Sequence, residues 1–303
     1  RLHSSKQNTR EEITMEDQTK SIETLIEDVY SVFTDGYNPT DENEKVIDTF
    51  GENLKELLRS RLVPRESGGP TLRLSALGKP SRQLWYTDRG YAKEEMTGDK
   101  LLKFLYGDII EEILLTVAKL SGHSVTCEQQ KVKVAGITGH MDAVIDGHVV
   151  DVKSASPFAF KKFEKATLAV DDPFGYMQQI SAYSEAVPDN KGVAFWAMNK
   201  VNGDLTLYQP SAAMLPDTQE RVDELKVALA SDTPPERCYE TEVDHKTGNE
   251  KLGIGCVFCD FKKVCWADAN KGEGLKGYKY AAMPFPLYLT KIVKQPRVDE
   301  IEV

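Results

Sequence analysis

The chain has 303 residues, of which 40% are hydrophobic and 28% are charged, and its formal net charge is -10. This length and hydrophobic content suffice for one sizeable core with an accessory lobe, and they exclude a disordered chain. The sequence lacks a run of about 18 apolar residues and a basic segment followed by an apolar one, so we expect a soluble, cytoplasmic protein.

The first part of the chain is predicted to be a helical N-terminal region. Apolar residues recur at helical spacing from Ile22 to Phe33 and again from Val46 to Leu58. The segment from Pro64 to Pro70 contains Gly68-Gly69 and predicts a loop that ends this region. The regions that we predict are a helical part at 1–65, an α/β core at 66–235, a cysteine lobe at 236–270 and a C-terminal tail at 271–303.

The middle of the chain alternates between helical and extended patterns, which indicates a mixed α/β fold. Helices are predicted at residues 99–120, 174–186 and 218–230. Strands are predicted near residues 124–134, 137–145, 148–155, 192–198 and 205–208. We therefore expect a mixed central sheet that is flanked by helices.

Two basic stretches interrupt the acidic balance of the chain. Arg82 with Trp85 and Tyr86 combines cationic and aromatic side chains, a mixture that can hold a strand of nucleic acid. Taken alone, the two aromatic residues are more often part of a core. Lys161 and Lys162 form the second stretch, and such local lysines supply phosphate affinity even in an acidic protein. We predict nucleic-acid contacts at these five residues.

The two strands around Asp146-Gly147 predict a β-hairpin with two carboxylates and a lysine on one face, because this dipeptide is a strong signal for a two-residue turn. With that turn, Asp142 lies opposite Asp151, and Lys153 follows on the same face. Facing like charges destabilise a sheet unless a cation lies between them, and carboxylate oxygens suit Mg²⁺ or Mn²⁺. We expect this acidic face to open to a cleft while the other face packs on a core. The residues of that other face are Met141, Ala143, Ile145, Val150 and Val152.

Two helices carry further candidate residues. Glu111 shares a helix face with Gly107 and Leu114, a setting in which a charge needs a metal ion or a partner. A salt-bridged glutamate is the ordinary alternative for this position. Gln179 and Tyr183 lie one turn apart in the later helix, and both can hydrogen-bond a phosphate or orient a catalytic group. In isolation this second signal is weak, because any helix can contain such a pair.

Together, and in this order, these residues resemble the motifs of the PD-(D/E)XK nuclease superfamily. Within it they are similar to the RecB-like exonucleases, which include iron-sulfur CRISPR-associated nucleases and phage-encoded relatives. The resemblance covers about residues 71–266. Gly139-His140-Met141-Asp142 matches G-x-x-D, Asp151-Val152-Lys153 matches D/E-x-K, and Gln179 to Tyr183 matches Q-x-x-x-Y. One departure is Glu111, which stands where relatives often have the His of G-x-x-x-H; Glu is also a ligand for hard metals.

The resemblance implies a restriction-endonuclease-like α/β core that hydrolyses phosphodiester bonds with one or two Mg²⁺ or Mn²⁺ ions. The residues implied to bind the metal are Glu111, Asp142, Asp151 and, through its carbonyl, Val152. Lys153 would position the attacking water, and Gln179 and Tyr183 would contact DNA or support Lys153. The implied activity is that of a DNA exonuclease on free ends or single strands, in phage or bacterial replication, recombination or repair.

Four of the five cysteines lie late in the chain with the spacing C-x17-C-x2-C-x5-C; they are Cys238, Cys256, Cys259 and Cys265. In a cytoplasmic protein this grouping favours a metal over disulfides, and four thiolates suit either Zn²⁺ or a [4Fe-4S] cluster. The resemblance favours [4Fe-4S], because the last three cysteines followed by Trp266 look like the end of that cluster in relatives. Ser81 stands where relatives have an upstream cysteine, which makes Cys238 the expected fourth ligand. Cys127 is predicted to be a buried thiol.

Three other functions fit the same residues. A structure-specific endonuclease would use the same site and would also cut closed circular DNA. A non-catalytic DNA-binding protein with a structural metal lobe would use Arg82, Trp85 and the lysines, and it would bind DNA without hydrolysing it. A generic α/β protein with a structural zinc is the simplest alternative, and it leaves the ordered acidic motif unexplained.

Overall fold

A computed structural model describes residues 20–63 and 72–303 of the chain. The α-helices are α1 (Leu25–Thr34), α2 (Asp41–Leu62), α3 (Ser81–Asp88), α4 (Gly98–Leu120), α5 (Pro157–Glu164), α6 (Tyr176–Glu185), α7 (Thr218–Ala230), α8 (Ile254–Val257), α9 (Lys262–Cys265) and α10 (Ala269–Gly272). The strands are β1 (Val125–Thr126), β2 (Lys131–Val134), β3 (Ile137–His140), β4 (Ala143–Ile145), β5 (His148–Ala155), β6 (Gly192–Asn199), β7 (Leu205–Tyr208), β8 (Thr241–Val243), β9 (Glu250–Leu252), β10 (Lys276–Tyr278), β11 (Leu287–Lys291) and β12 (Glu300–Ile301). The loop predicted from Pro64 to Pro70 lies outside the described residues.

A five-stranded mixed sheet forms the centre of the fold, with the strand order β1-β4-β5-β6-β7. Strands β5 and β6 are parallel, whereas the other neighbours are antiparallel. The parallel pair needs a long crossover, which α5 and α6 supply, and α6 returns the chain to the same sheet. The predicted mixed α/β architecture with a helical N-terminal region is confirmed.

Both faces of this sheet are buried, each against its own set of helices. On one face, Val149 and Phe195 pack with Ile180 of α6. On the other face, Val150 and Trp196 pack with apolar side chains of α1 and α4. Successive strand residues point to opposite faces of the sheet, and helices cover both faces. Consecutive residues of these strands are therefore apolar.

The hairpin β4–β5 has the predicted register but not the predicted one-sided burial. Ile145 pairs with His148, and the turn residues Asp146 and Gly147 have φ angles of 50° and 87°. Val149, on the face that carries the acidic residues, is fully buried, whereas Asp142 and Lys153 on that face are partly exposed. Met141, expected with the apolar face, instead joins the core of the α6 side, because regular strand structure stops before β4 begins.

The N-terminal helices cover the α4 side of the sheet. Ile22, Leu25 and Val29 are buried against α4 and the sheet. Helix α2 has no fully buried residue and runs along α4, where Arg61 forms an ion pair with Asp108. In the two described stretches of the chain, we find no helix whose length and apolar character would let it cross a membrane.

The C-terminal part of the chain forms a second five-stranded sheet with the order β12-β10-β11-β9-β8. The sequence predicted no element after Asn270, yet β10, β11 and β12 lie there and β11 pairs with β9. The core of this lobe includes Leu252, Trp266 and Tyr288. Strands of two to five residues without alternation give little signal, and their pairing partners are distant in sequence. The tail and the cysteine lobe therefore share one sheet.

Candidate active site

The two hairpin carboxylates lie side by side at the end of the central sheet. Asp142 immediately precedes β4, and its Oδ2 accepts a hydrogen bond of 2.8 Å from the backbone N–H of Val152. Asp151 lies within β5 and is 1% exposed. The strand register that pairs Ala143 with Val150 brings the preceding Asp142 opposite Asp151. The two-residue turn sets the pairing, and side chains alternate between the two faces along each strand. These two facts explain why Asp142 and Asp151 share one face.

Helix α4 brings a third carboxylate to this pair. Its Gly107 lies against β5, and a Cβ at that position would be 3.3 Å from the Ser154 hydroxyl. One turn later, Glu111 faces Asp142 and Asp151 closely enough for both to influence its ionisation. The side chain of Gln129 donates a hydrogen bond to Glu111.

Gln129 was not among the predicted site residues. Its backbone N–H donates to the carbonyl of Asp142 at 3.0 Å, so it connects Asp142 to Glu111. The residue has a φ angle of 48° in the loop after β1. Nothing in the local sequence marks it, because the contact joins a loop to two distant elements.

The three carboxylates resist ionisation together. Burial, followed by repulsion from Asp142 and Asp151, raises the pKa of Glu111 to about 9. Burial and the charge of Asp151 raise the pKa of Asp142 to about 7, and burial raises the pKa of Asp151 as well. A site that holds several carboxylates against burial and mutual repulsion favours the binding of a cation.

The donor set fits a hard divalent cation, although the side chains are not closed around one. Asp151 Oδ2 is buried and its neighbour is the Lys153 ammonium, so a cation bound there would share this oxygen with the lysine. Within residues 20–63 and 72–303, no three His, Cys, Asp or Glu side chains converge as a group that could hold an ion. A bound cation would therefore draw the carboxylates toward one another.

Lys153 supplies a positive charge beside the carboxylates. Its Nζ lies 2.5 Å from Asp151 Oδ2 and 4.5 Å from the centre of the Tyr176 ring. Burial disfavours the charged ammonium, but the Asp151 and Asp142 carboxylates outweigh this effect and raise the pKa of Lys153. The lysine is therefore a fixed cation in this state and suits an electrostatic role better than that of a general base.

Gln179 and Tyr183 of α6 pack against the hairpin residues of the site. The Gln179 side chain donates a hydrogen bond of 3.2 Å to Asp151 Oδ1, so it contacts a carboxylate rather than Lys153. Tyr183 is 1% exposed and packs against Gly139, where an added Cβ would lie 3.1 Å from its ring. Burial and, as the second cause, the charge of Asp151 raise the pKa of Tyr183 to about 12. Tyr183 has no surface with which to contact DNA in this state.

Two further residues at the start of α6 were not predicted. Tyr176 lies under the Lys153 ammonium, and Asp172 Oδ2 accepts a hydrogen bond of 2.8 Å from the Met177 N–H. The other oxygen of Asp172 is buried without a donor. The N-cap of α6 is Gly175, three residues after Asp172, so neither the contact of Asp172 nor that of Tyr176 with Lys153 had a recognisable local signal.

The four late cysteines all line one small cavity, of about 20 Å³, between α3 and the C-terminal lobe. They are free thiols, and burial raises the pKa of both Cys256 and Cys259 to about 11. Burial, and after it the charge of Cys265, also raise the pKa of Cys238. Cys127 lies away from this group and is exposed, so its predicted burial is wrong; it follows β1 in a turn with a φ angle of 56°.

Nitrogen donors surround the thiols. Arg82 Nε lies 3.1 Å from Cys265 Sγ, and the backbone N–H of Phe261 lies 3.4 Å from Cys259 Sγ. Cys238 lies against backbone N–H groups at the start of α3, adjacent to Ser81. The indole of Trp266 is next to Cys256, and its buried N–H has no oxygen or nitrogen acceptor. Donors in this number suit thiolates better than neutral thiols, which are weak acceptors.

The predicted DNA contacts divide into two groups. Trp85 and Tyr86 are 4% and 5% exposed and pack on Phe261 of the lobe, so they offer no free ring face to a base. Arg82 is engaged with Cys265 and Tyr86. These three residues attach the lobe to α3, and a stacking role for the two aromatic residues does not fit their burial. Lys161 is exposed, and Lys162 is partly exposed and pairs with Asp171 at 2.8 Å.

Comparisons with known proteins give a fold likeness at low identity. No family model and no curated protein matches the chain. A phage-related exonuclease from Haemophilus somnus 129PT superposes with a TM-score of 0.39 and 13% identity, over 52% of this chain and 92% of that chain. An alkaline exonuclease from Laribacter hongkongensis superposes with a TM-score of 0.36 and 14% identity, over 58% of this chain and 92% of that chain.

Proposed function

We propose that the protein is a metal-dependent DNA exonuclease that hydrolyses phosphodiester bonds. The observation that carries the proposal is that Glu111, Asp142 and Asp151 lie near enough to influence one another's ionisation, with the Lys153 ammonium beside Asp151. These are the residues that the resemblance to PD-(D/E)XK nucleases marks, in the same order. The setting we propose is phage or bacterial DNA replication, recombination or repair, in the cytoplasm.

The metal in this proposal is Mg²⁺ or Mn²⁺. Glu111, Asp142, Asp151 and the carbonyl of Val152 would hold one or two ions, and a bound ion would supply Lewis acidity at the scissile phosphate. Gln179 fixes the orientation of Asp151 through its hydrogen bond. The Lys153 ammonium stabilises the charge that develops on the phosphate, and it orients water at the buried edge of the site.

The first test is cleavage of labelled linear DNA in Mn²⁺ or Mg²⁺. We expect activity in the wild type and its removal by chelator. Lys153→Ala and Asp151→Asn should each lower activity at least about 100-fold, because each removes electrostatic stabilisation at the reacting phosphate. Lys55→Ala, at an exposed lysine of α2, is the matched control. Full activity in both site variants would refute the proposal.

A closed circular substrate distinguishes the exonuclease from a structure-specific endonuclease on the same site. We expect the linear substrate to be degraded and the circle to stay intact. Cutting of the circle would favour the endonuclease. Binding of DNA without metal-dependent cleavage of either substrate would favour a DNA-binding protein with an inactive site.

We also propose that Cys238, Cys256, Cys259 and Cys265 hold a metal centre, a [4Fe-4S] cluster or alternatively Zn²⁺. The support is that the four thiols line one cavity and have nitrogen donors around them. The nitrogen donors favour thiolates, which both a [4Fe-4S] cluster and Zn²⁺ require, whereas the small cavity volume favours a single ion. Elemental analysis for iron and zinc and the visible absorbance of an anaerobic preparation distinguish the two. Absence of both metals would refute this part of the proposal.

A further inference from the structure

Three large apolar side chains are exposed in the segment that connects the two catalytic elements. Phe158 is 76% exposed, Val170 is 88% exposed and Phe174 is 49% exposed. This segment leads from β5, which carries Asp151 and Lys153, to α6. Single exposed apolar residues are ordinary on a surface, but several of them in one segment mark a candidate binding surface.

Aromatic rings lead from the solvent to the Lys153 ammonium. The ring of the exposed Phe174 lies 5.6 Å from that of Tyr176, at an interplanar angle of 32°. Tyr176 in turn stacks at 6.3 Å on the buried Phe163, and its ring centre is 4.5 Å from Lys153 Nζ. Phe174 is thus separated by one ring from the cation that would face a scissile phosphate, and the core supports it from behind.

Positive charge accompanies these rings. Lys161, Lys162 and Lys165 lie on or directly after α5. The Lys162 Nζ is 5.7 Å from the Phe158 ring and 2.8 Å from the Asp171 carboxylate, so it connects α5 to the loop that precedes Phe174. Exposed aromatic rings and lysines in one segment suit a single strand, whose bases stack while its phosphates pair with cations.

We propose that Phe174, supported by Tyr176, is a stacking platform for an unpaired base next to the scissile phosphate, so that the site acts on single strands or frayed ends of DNA. The inference rests on the proposed nuclease function and assigns a residue to its expected preference for single strands or free ends. In a duplex both faces of an internal base are already stacked, and a protein ring can stack on it only after unpairing. An unpaired end offers its bases at no such cost.

A binding experiment tests the platform without turnover. Single-stranded oligonucleotides with 2-aminopurine at successive positions are titrated with the wild type and with Phe174→Ala in Ca²⁺. We expect fluorescence quenching at one position in the wild type, its loss in Phe174→Ala, and binding weakened about 5- to 100-fold. Phe174→Trp should keep the quenching. Phe33→Ala, at a 68% exposed phenylalanine of α1, is the matched control and should behave as the wild type does.

Cleavage assays separate this inference from the proposed function. On a single strand, Phe174→Ala should lower kcat/KM about 5- to 100-fold, whereas on a strand with an abasic residue at the quenched position the variant and the wild type should differ little. If the wild type cleaves DNA and Phe174→Ala matches it on both strands, the platform is wrong and the nuclease stands. If the wild type neither binds nor cleaves any strand, the nuclease proposal and the platform both fail.

Discussion

Replacement of Glu111 by Gln should stabilise the metal-free protein at alkaline pH while it removes activity. The pKa of Glu111 is raised from its ordinary value of 4.5 to about 9, by burial first and by the two aspartates next. A carboxyl group with a raised pKa in the folded state binds its proton more tightly there than in the unfolded chain. The free energy of unfolding is therefore highest below the ordinary pKa and decreases as the pH rises toward the raised value. The free energy of unfolding of the metal-free wild type should therefore decrease between about pH 4.5 and pH 9.

The size of the effect follows from the same values. Near pH 8 the folded chain keeps a proton on Glu111 that the unfolded chain does not hold. Each pH unit above 4.5 lowers the free energy of unfolding by about 1.4 kcal/mol, so the loss at pH 8 is at most about 5 kcal/mol. Partial exposure of Glu111 and sharing of the repulsion with Asp142 reduce the expected gain of Glu111→Gln to about 1–3 kcal/mol. The gain should be smaller near pH 6, because less of the penalty is present there.

The assay is urea denaturation followed by tryptophan fluorescence, in EDTA, near pH 6 and near pH 8. Glu112→Gln is the matched control, since that carboxylate faces α2 and accepts a hydrogen bond of 2.8 Å from Asn53. With Mn²⁺ at about 100 times its dissociation constant, the wild type should gain about 2.7 kcal/mol, and Glu111→Gln should gain much less. If Glu111→Gln is less stable than the wild type in EDTA, or its advantage does not grow with pH, the reasoning about the acidic cluster is wrong.

Three further outcomes follow from contacts outside the carboxylates. Gln179→Ala should lower kcat about 10-fold with little change in KM, because its hydrogen bond orients Asp151, and steady-state kinetics on linear DNA checks this. Gly78→Ala should lower the free energy of unfolding by at least about 1–3 kcal/mol in urea titrations, since a Cβ there would lie 2.2 Å from the backbone of Gly175. Cys265→Ser should reduce the bound iron or zinc and the visible absorbance of the anaerobic protein, whereas Cys127→Ser should change neither.

The sequence predicted the register of the β4–β5 hairpin because its determinants are local. A two-residue turn at Asp146-Gly147 defines the register, and that register brings Asp142 beside Asp151. Glu111 was predicted from helix periodicity, which shows that its side chain lies on the buried side of α4 but not what it meets there. The fold class followed from the alternation of helices and strands.

What the sequence did not predict depends on contacts between distant segments. Gln129 reaches Glu111 from a loop, and Tyr176 reaches Lys153 from the start of α6. Trp85 and Tyr86 have a composition that suits nucleic acid, but they are covered by Phe261, which is far away in sequence. Composition and spacing describe which side chains are available, and only the packing of the lobe decides whether they are exposed.

The same packing connects the cysteine lobe to the carboxylates through a short series of contacts. Arg82 of α3 donates to Cys265, and the loop before α3 contains Gly78, which lies against the backbone of Gly175 at the start of α6. One turn into α6, Gln179 holds Asp151. Arg82 also donates to the Pro235 carbonyl and to the Tyr86 hydroxyl, so Cys265→Ser would remove one of the contacts that hold this side chain. Coupling between the lobe and the carboxylates is established by combining substitutions, not by spatial proximity. If the lobe supports the active site by this route, Cys265→Ser and Gln179→Ala should impair the same kinetic parameter, and their effects should be less than additive when combined.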